Sequence, residues 1–281
     1  VINSMAYAAD VFASCRGQKV NTYFEQERAG IHSSTLEAFH IGYNPPWPAL
    51  AQPVNRLRGL LVIGLVESDG LSPYRDHAVF PHRTADGTTT NLIFRSIDPE
   101  SKRRYRVLPP RESLAQPPGR IEAPILYGLP GTHYQDEVAI VEGPIDVLRC
   151  YQAGIHALAL CGNYLSAEDF LALLCRTRCT TLMLDWDGEG SKQMFHLCLL
   201  YQRLAQTEPV GALYVTQGPP GQDPGGMRDG DLRNVYRERV SCDAFIDKWR
   251  DLGTDPEDPR QAFLLQRMIG RYRKWKTSRS L

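Results

Sequence analysis

The 281-residue chain has no net charge, since thirty-two acidic residues balance thirty-two basic ones, so global charge says nothing about partners. It has no apolar run of transmembrane length and no signal-peptide pattern at its start. That sets a cytosolic expectation with no membrane partner. It lacks a disulfide framework: its seven cysteines are an odd set without the spacing of one, and reduced thiols are expected. Cys175 and Cys179 are spaced as one helical turn. With no histidine or cysteine pair nearby to complete four ligands, no zinc site is expected in the chain. Internal repeats are absent as well. The length suffices for one large domain or two modest ones with a sizeable core.

What is present is a clear rhythm from Val138 to Thr216. Val138–Glu142, His156–Leu160, Thr180–Asp185 and Gly211–Thr216 read as strands. Between them Ile145–Ala153, Ala167–Leu174 and Lys192–Leu204 read as helices, with Ser166 capping the second. Strands alternating with helices of this length predict an α/β parallel sheet with right-handed crossovers, whose ligands bind beyond the carboxyl ends of the strands. Ahead of it, Met5 to Gly30 predicts two helices broken near Gly17, and Ser34 with Glu37 predicts a capped helix start. Phe39–Tyr43, Ala78–Pro81 and Asn91–Arg95 predict strands, the last two joined by a turn at Ala85-Asp-Gly87. Val54 to Asp69 looks partly helical, a proline-rich connector runs from Leu108 to Pro124, and Asp231 to Leu281 looks helical, with Phe245, Trp249 and Leu252 as one apolar stripe.

Two of the predicted sheet strands end in acid. Val138-Ala-Ile-Val-Glu-Gly-Pro-Ile-Asp146 delivers Glu142 at a strand end and Asp146 in the first turn of a proline-initiated helix. Leu182-Met-Leu-Asp-Trp-Asp-Gly188 delivers Asp185 and Asp187, which share one side of an extended chain across Trp186. Gathering such groups within about 4 Å costs several kcal/mol per like-charged pair at a dielectric of about 20, a cost that divalent cations offset. Taken singly, a Glu-Gly pair or an Asp-x-Asp-Gly segment is usually a solvated turn. Both together, one strand–helix unit apart, predict metal-assisted phosphoryl or nucleotidyl transfer.

Glu142-Gly, Gly162-Asn163 and Asp185-Trp-Asp-Gly on this alternating frame resemble the TOPRIM fold of DnaG-type primases, topoisomerases and several nucleases. The flanks are similar to the DnaG-type primase catalytic core in particular. These are Tyr23 to Ile31, Phe39 to Trp47, Val79-Phe-Pro81, Asp86-Gly87, Phe94-Arg95, Arg104-Tyr105, Leu126-Tyr-Gly128 and Gly221-Gln-Asp-Pro224, in that family's order. The resemblance implies three parts: an α+β subdomain at 1–124 with a basic surface for template and nucleotide, a TOPRIM catalytic subdomain at 125–226, and a small helical subdomain at 227–281. It implies catalytic roles for Glu142, Asp185 and Asp187, and magnesium, for which manganese substitutes, held by these three with Asp146 and Asp223. Arg28, Arg75, Arg95, Arg104, Tyr105, Gly162 and Asn163 are the implied nucleotide and template contacts.

The chain also departs from that pattern. Gly225 stands where a second aspartate usually follows Asp223, so either Asp229 or Asp231 substitutes or the site holds one carboxylate fewer. His77 stands where arginine is usual, the stretch Arg104-Tyr-Arg-Val107 lacks the family's asparagine, and Arg28-Ala-Gly30 splits an arginine-glycine pair. No amino-terminal zinc-binding module is present in these residues.

Apart from the resemblance, Arg28, Arg75, Arg83, Arg95, Arg103, Arg104 and Arg106 interleave with Tyr74, Phe80, Phe94 and Tyr105. Any one of these residues alone reads more readily as core or solvated surface, but as a group beside an acidic metal site, cations mixed with aromatics suit single-stranded nucleic acid. The tail from Arg260 to Leu281 is basic, has no acid, and carries Trp275 among its cations. The expectation is a cytoplasmic primase core of bacterial, phage or plasmid replication. It would make RNA primers on single-stranded DNA from nucleoside triphosphates, recruited by a replicative helicase or a separate zinc-binding or helicase protein. The rivals are a TOPRIM nuclease and a non-catalytic nucleic-acid-binding subunit.

Overall fold

The computed structural model describes residues 2–28, 30–45, 60–61, 64–67, 72–98, 100–101, 104–108, 126–161 and 165–251. It divides into two compact units, Val1–His133 and Tyr134–Leu281. The connector and its boundary at 124, most of Val54 to Asp69, and the basic tail with Trp275 lie outside the described residues.

The first unit is an antiparallel sheet of β1 (Gly42–Asn44), β2 (His77–Arg83), β3 (Thr89–Ser96) and β4 (Tyr105–Val107), in that order. The register pairs Gly42 with Val79, Val79 with Phe94 and Phe94 with Arg106. Helix α1 (Ile2–Ser14) covers it. Met5, Ala8, Ala9 and Phe12 recur at helical spacing and are buried against Val79, Leu92 and Phe94. Phe12 meets Phe94 edge-on at 6.3 Å, and Tyr74 stacks on Phe94 at 4.2 Å.

After a break at Gly17, α2 (Gln18–Thr22) runs into a π-turn over Tyr23–Glu27. Helix α3 (Ser33–Ala38) starts one residue before the expected cap, so Ser34 lies inside it. Its N-cap is His32, which makes no side-chain cap bond, and Glu37 instead accepts from Arg16 at 3.1 Å. The expected strand from Phe39 begins only at Gly42, because Phe39, His40 and Ile41 donate their N–H groups back to the end of α3.

In the second unit the strands are β5 (Glu137–Val141), β6 (Ala157–Ala159), β7 (Cys179–Leu182), β8 (Ala212–Val215) and β9 (Val240–Ser241), in the order β6-β5-β7-β8-β9. The first four are parallel and β9 is an antiparallel edge. Val138, Ala139, Ile140 and Val141 are all buried, as in a strand covered on both faces. The helices are α4 (Pro144–Gln152), α5 (Ala167–Arg176), α6 (Gly188–Leu204), α7 (Asp229–Arg237) and α8 (Cys242–Asp251). Ser166 caps α5, accepting from Asp169 N–H at 3.0 Å.

Cys175 is exposed on α5 while Cys179 is buried in β7, so they do not share a helical turn. Phe245 and Trp249 of α8 pack toward α6, where Trp249 stacks on Phe195 at 5.1 Å; Leu252 lies outside the described residues. From β5 the chain crosses to β6 on one side, then returns to β7 on the other. The connections leaving β5 and β7 therefore diverge, and they open a crevice at the carboxyl ends of those two strands.

Candidate metal centre and nucleic-acid surface

Glu142 follows β5 directly, and its Oε1 accepts the Asp185 N–H at 3.2 Å across that crevice. Burial pushes its carboxyl above the usual range. The Asp185 N–H opposes this, and repulsion from Asp187 and Asp223 adds to it. Asp146 lies in the first turn of α4 and accepts the Gly143 N–H through Oδ2 at 2.7 Å, a bond a carboxylate at a helix start is placed to make. Burial drives its pKa up to about 8. The Gly143 N–H works against that shift, while Asp223, Asp185 and Glu142 reinforce it.

Strand β7 stops at Leu182, three residues before its expected end at Asp185, and the chain then turns into α6. Asp187 is the N-cap of α6, where its Oδ1 accepts from Glu189 and Gly190 N–H at 2.9 and 2.8 Å. Asp185 is half-buried, and its Oδ1 is closed off from solvent with no hydrogen-bond partner among the described residues. Burial, then Glu142, Asp223 and Asp187, raise its pKa to about 7. Asp223 lies in the loop after β8 and accepts Gly226 N–H at 2.6 Å.

Folding gains nothing from a buried carboxylate oxygen without a donor, or from acids that repel one another at neutral pH. A cation in the crevice would satisfy both. Among the described residues no three histidine, cysteine or acidic side chains converge closely enough to hold a metal ion by themselves.

Asp229 is not the missing acid at 225. It accepts from buried Arg149 at 2.7 Å and from Gln152 at 3.2 Å, and so ties α7 to α4. These bonds to Arg149 and Gln152 outweigh burial and hold its carboxyl below the usual range. Asp231 is exposed in the first turn of α7. Gly225 itself is packed against Asp146: a Cβ there would lie 2.5 Å from Asp146 Oδ1.

In the first unit, Arg95 is buried on β3. Its Nε–H donates to the Tyr23 hydroxyl at 2.7 Å, and its guanidinium lies 4.6 Å from the Tyr105 ring centre. Arg28 donates to the same hydroxyl at 3.1 Å and lies 5.7 Å from the Tyr23 ring centre. Two of the expected contacts, Arg28 and Arg95, thus meet at one hydroxyl, and a third, Tyr105, joins them through the Arg95 guanidinium. Tyr23 was not among the expected site residues, since beside Phe24 it reads as core. Arg104 precedes β4 with its side chain exposed, and Arg75 is exposed in the turn before β2, where its carbonyl accepts from His77 at 2.7 Å. Gly162 and Asn163 lie outside the described residues.

Residues 137–217 match the Toprim domain family. A DNA primase of Halalkalibacterium halodurans is 27% identical over 244 residues, covering 82% of this chain and 38% of that protein. One from Pseudomonas aeruginosa is 25% identical over 231 residues, covering 76% and 33%. The chain thus spans about a third of the length of the curated relatives it matches. The structure of the DnaG primase catalytic domain bound to single-stranded DNA superposes with a TM-score of 0.72 at 20% identity, over 92% of this chain and 85% of that one. The Escherichia coli primase catalytic core gives 0.71 at 19% identity, over 94% and 88%.

The second unit is built on a Toprim domain, with its acids at the switch point of the sheet. The chain as a whole is similar in sequence to DNA primases and has the fold of the DnaG primase catalytic core. Among the described residues no helix is long and apolar enough to cross a membrane.

Proposed function

We propose that this chain is the catalytic core of a DNA primase, joining ribonucleotides into short RNA primers on single-stranded DNA. The observation that carries the reading is the crevice beyond β5 and β7, where Glu142 and Asp185 meet and the Asp185 Oδ1 is buried without a donor. A family of primases supplies the relatives, and one neighbouring catalytic domain is described bound to single-stranded DNA.

Asp185, Asp187 and Asp223, with Asp146, would hold magnesium, or manganese in its place. When bound, the cation acidifies the attacking 3′ hydroxyl and neutralises charge on the phosphates. Asp187 meets it with its orientation already set by the start of α6. Glu142, whose burial raises its pKa and so its basicity, would accept the proton as the hydroxyl attacks the α-phosphate and pyrophosphate leaves. On the first unit, Arg28, Arg95 and Tyr105, with Arg75 and Arg104 on the surface, would neutralise template and nucleotide phosphates and stack bases. Gly162 and Asn163 keep the nucleotide role that the resemblance implies. The setting proposed is cytoplasmic, in bacterial, phage or plasmid replication beside a helicase.

The test is primer synthesis on labelled single-stranded DNA with magnesium and ribonucleotides. Asp185→Ala should give no product while melting cooperatively; undiminished synthesis by that variant sinks the assignment. If the DNA shortens without nucleotides, the site belongs to a nuclease.

A further inference from the structure

Trp186 separates Asp185 from Asp187 in the chain, and its polar groups all bond to the segment after β8. Its N–H donates to the Gln222 carbonyl at 3.0 Å, and its own carbonyl accepts from Gly221 N–H at 2.8 Å. The indole Nε1–H donates to Thr216 Oγ1 at 3.3 Å, and that hydroxyl donates on to the Leu182 carbonyl of β7 at 3.2 Å. Trp186 is 5% exposed, and its ring lies flush on Gly218, where a Cβ would overlap the indole. By contrast Gln217 and residues 219–223 are exposed, in a stretch rich in glycine and proline. Gln217 accepts from Lys248 at 2.6 Å and Asp223 from Gly226 N–H at 2.6 Å, so the loop is tied at its two ends. The contacts of Trp186 hold the stretch between them, whose ordering on ligand binding would otherwise cost affinity.

We infer that Trp186 is a positioning residue: it pins the 217–223 loop so that Asp223 stands in register with Asp185 and Asp187. The inference rests on the reading of these carboxylates as a divalent-cation site, and it adds how this chain aligns acids from two separate loops. The tryptophan at the middle of an Asp-x-Asp segment then acts as the joint between the end of β7 and the loop after β8. The rival account is that Trp186 only fills space, in which case its loss weakens the fold without acting through Asp223.

A double-mutant cycle separates the two, with manganese as the probe and the full chain throughout. Manganese affinity is measured by calorimetry and by the paramagnetic signal of the free ion, for wild type, Trp186→Ala, Asp223→Asn and the double variant. Each single change is expected to weaken binding about tenfold, the usual scale for removing a group that orients a metal ligand. The double variant should bind no more weakly than either single one, because Trp186 acts through Asp223. Amide exchange at 217–222 should also speed up in Trp186→Ala.

Equal losses from Trp186→Ala in both backgrounds, or no loss at all, overturn the inference while leaving the cation site intact. Undiminished manganese binding by Asp223→Asn removes Asp223 from that site and the inference with it. Asp185→Ala reports separately on the rest of the site. If Trp186→Ala does not fold, Gly218→Ala runs the same cycle, since its methyl wedges the loop from an unaltered indole.

Discussion

Gly225 and Asp146 are in direct apposition: a Cβ added at Gly225 would fall 2.5 Å from Asp146 Oδ1 and 3.1 Å from Ile145 Cγ2. The turn over Pro224–Gly226 therefore lies closer to α4 than any side chain at 225 allows. The glycine that reads in sequence as a missing acid is in the structure a site of close approach.

This makes a counterintuitive prediction for Gly225→Asp, the change that restores the family's usual residue. Overpacking a filled site typically costs about 1–3 kcal/mol, and here the clash is with a carboxylate, so a second charge adds repulsion. The variant should unfold at lower denaturant concentration than wild type and bind manganese no more tightly. Tighter binding without loss of stability would mean that the turn can move away from α4 at little cost.

The raised carboxyls predict a pH dependence with a definite sign. Asp185 is pushed up to about 7 and Asp146 to about 8, against about 3.9 for an unfolded aspartate. Between those limits the folded chain holds protons that the unfolded chain has released. The stabilisation from these two groups is therefore fully present below about pH 4 and is lost as pH rises through about 7 and 8. A divalent cation binds the deprotonated forms, so its affinity should rise over the same interval. Thermal melts at about pH 6 and about pH 8 should show the cation-free protein losing stability with pH and manganese restoring more of it at the higher value. If manganese stabilises the protein equally at both, the two acids are not linked to the cation.

Much of this centre was legible in the sequence because its ingredients are local. Val138 to Val141 is an apolar run that stops on an acid, and Leu182 to Asp187 repeats the pattern one unit later. The parallel order of β5 and β7 then brings Glu142 to Asp185 whatever the loops do. Element ends were less legible: α3 starts at Ser33, so the Ser34 cap does not form, and β7 stops at Leu182 with Asp187 used as a helix cap. Contacts between residues far apart in the chain left no signal at all. Trp186 against Gly218, Gly225 against Asp146, and Arg28 and Arg95 on one tyrosine hydroxyl depend on distances that no spacing rule encodes.

Arg149 and Asp229 offer a test of how α7 is held. The arginine side chain is 1% exposed and the aspartate 26%, so the pair lies at the edge of the core. Removing one partner of a fully buried pair costs about 3–5 kcal/mol, and the solvent reaching Asp229 should bring Arg149→Met to about 1–3 kcal/mol. Adding Asp229→Leu should recover most of that, because an apolar pair leaves no unpaired charge. Denaturant midpoints measure both. A double variant as unstable as the single one would mean that Arg149 contributes through packing rather than its charge.

The Tyr23 hydroxyl accepts from both Arg28 and Arg95, so Tyr23→Phe takes the shared acceptor away from two guanidinium groups. The ring itself should stay, packed edge-on against Phe24 at 5.1 Å. Losing a hydrogen bond to a charged group costs about 1.5–3 kcal/mol, and part of this falls on stability because Arg95 is buried. The remainder should fall on nucleic acid. Once untethered, the two cations no longer present a fixed pair to the phosphates, and affinity for single-stranded DNA should drop about tenfold, or about 1.4 kcal/mol. Salt dependence separates these effects. Each phosphate that is no longer neutralised should make the slope of log K against log salt shallower by about 0.7 on a single strand, which a weaker fold alone does not do. An unchanged slope and affinity in Tyr23→Phe, with only the melting temperature lowered, would assign Arg28 and Arg95 to the architecture of the first unit and leave template binding to the exposed Arg75 and Arg104.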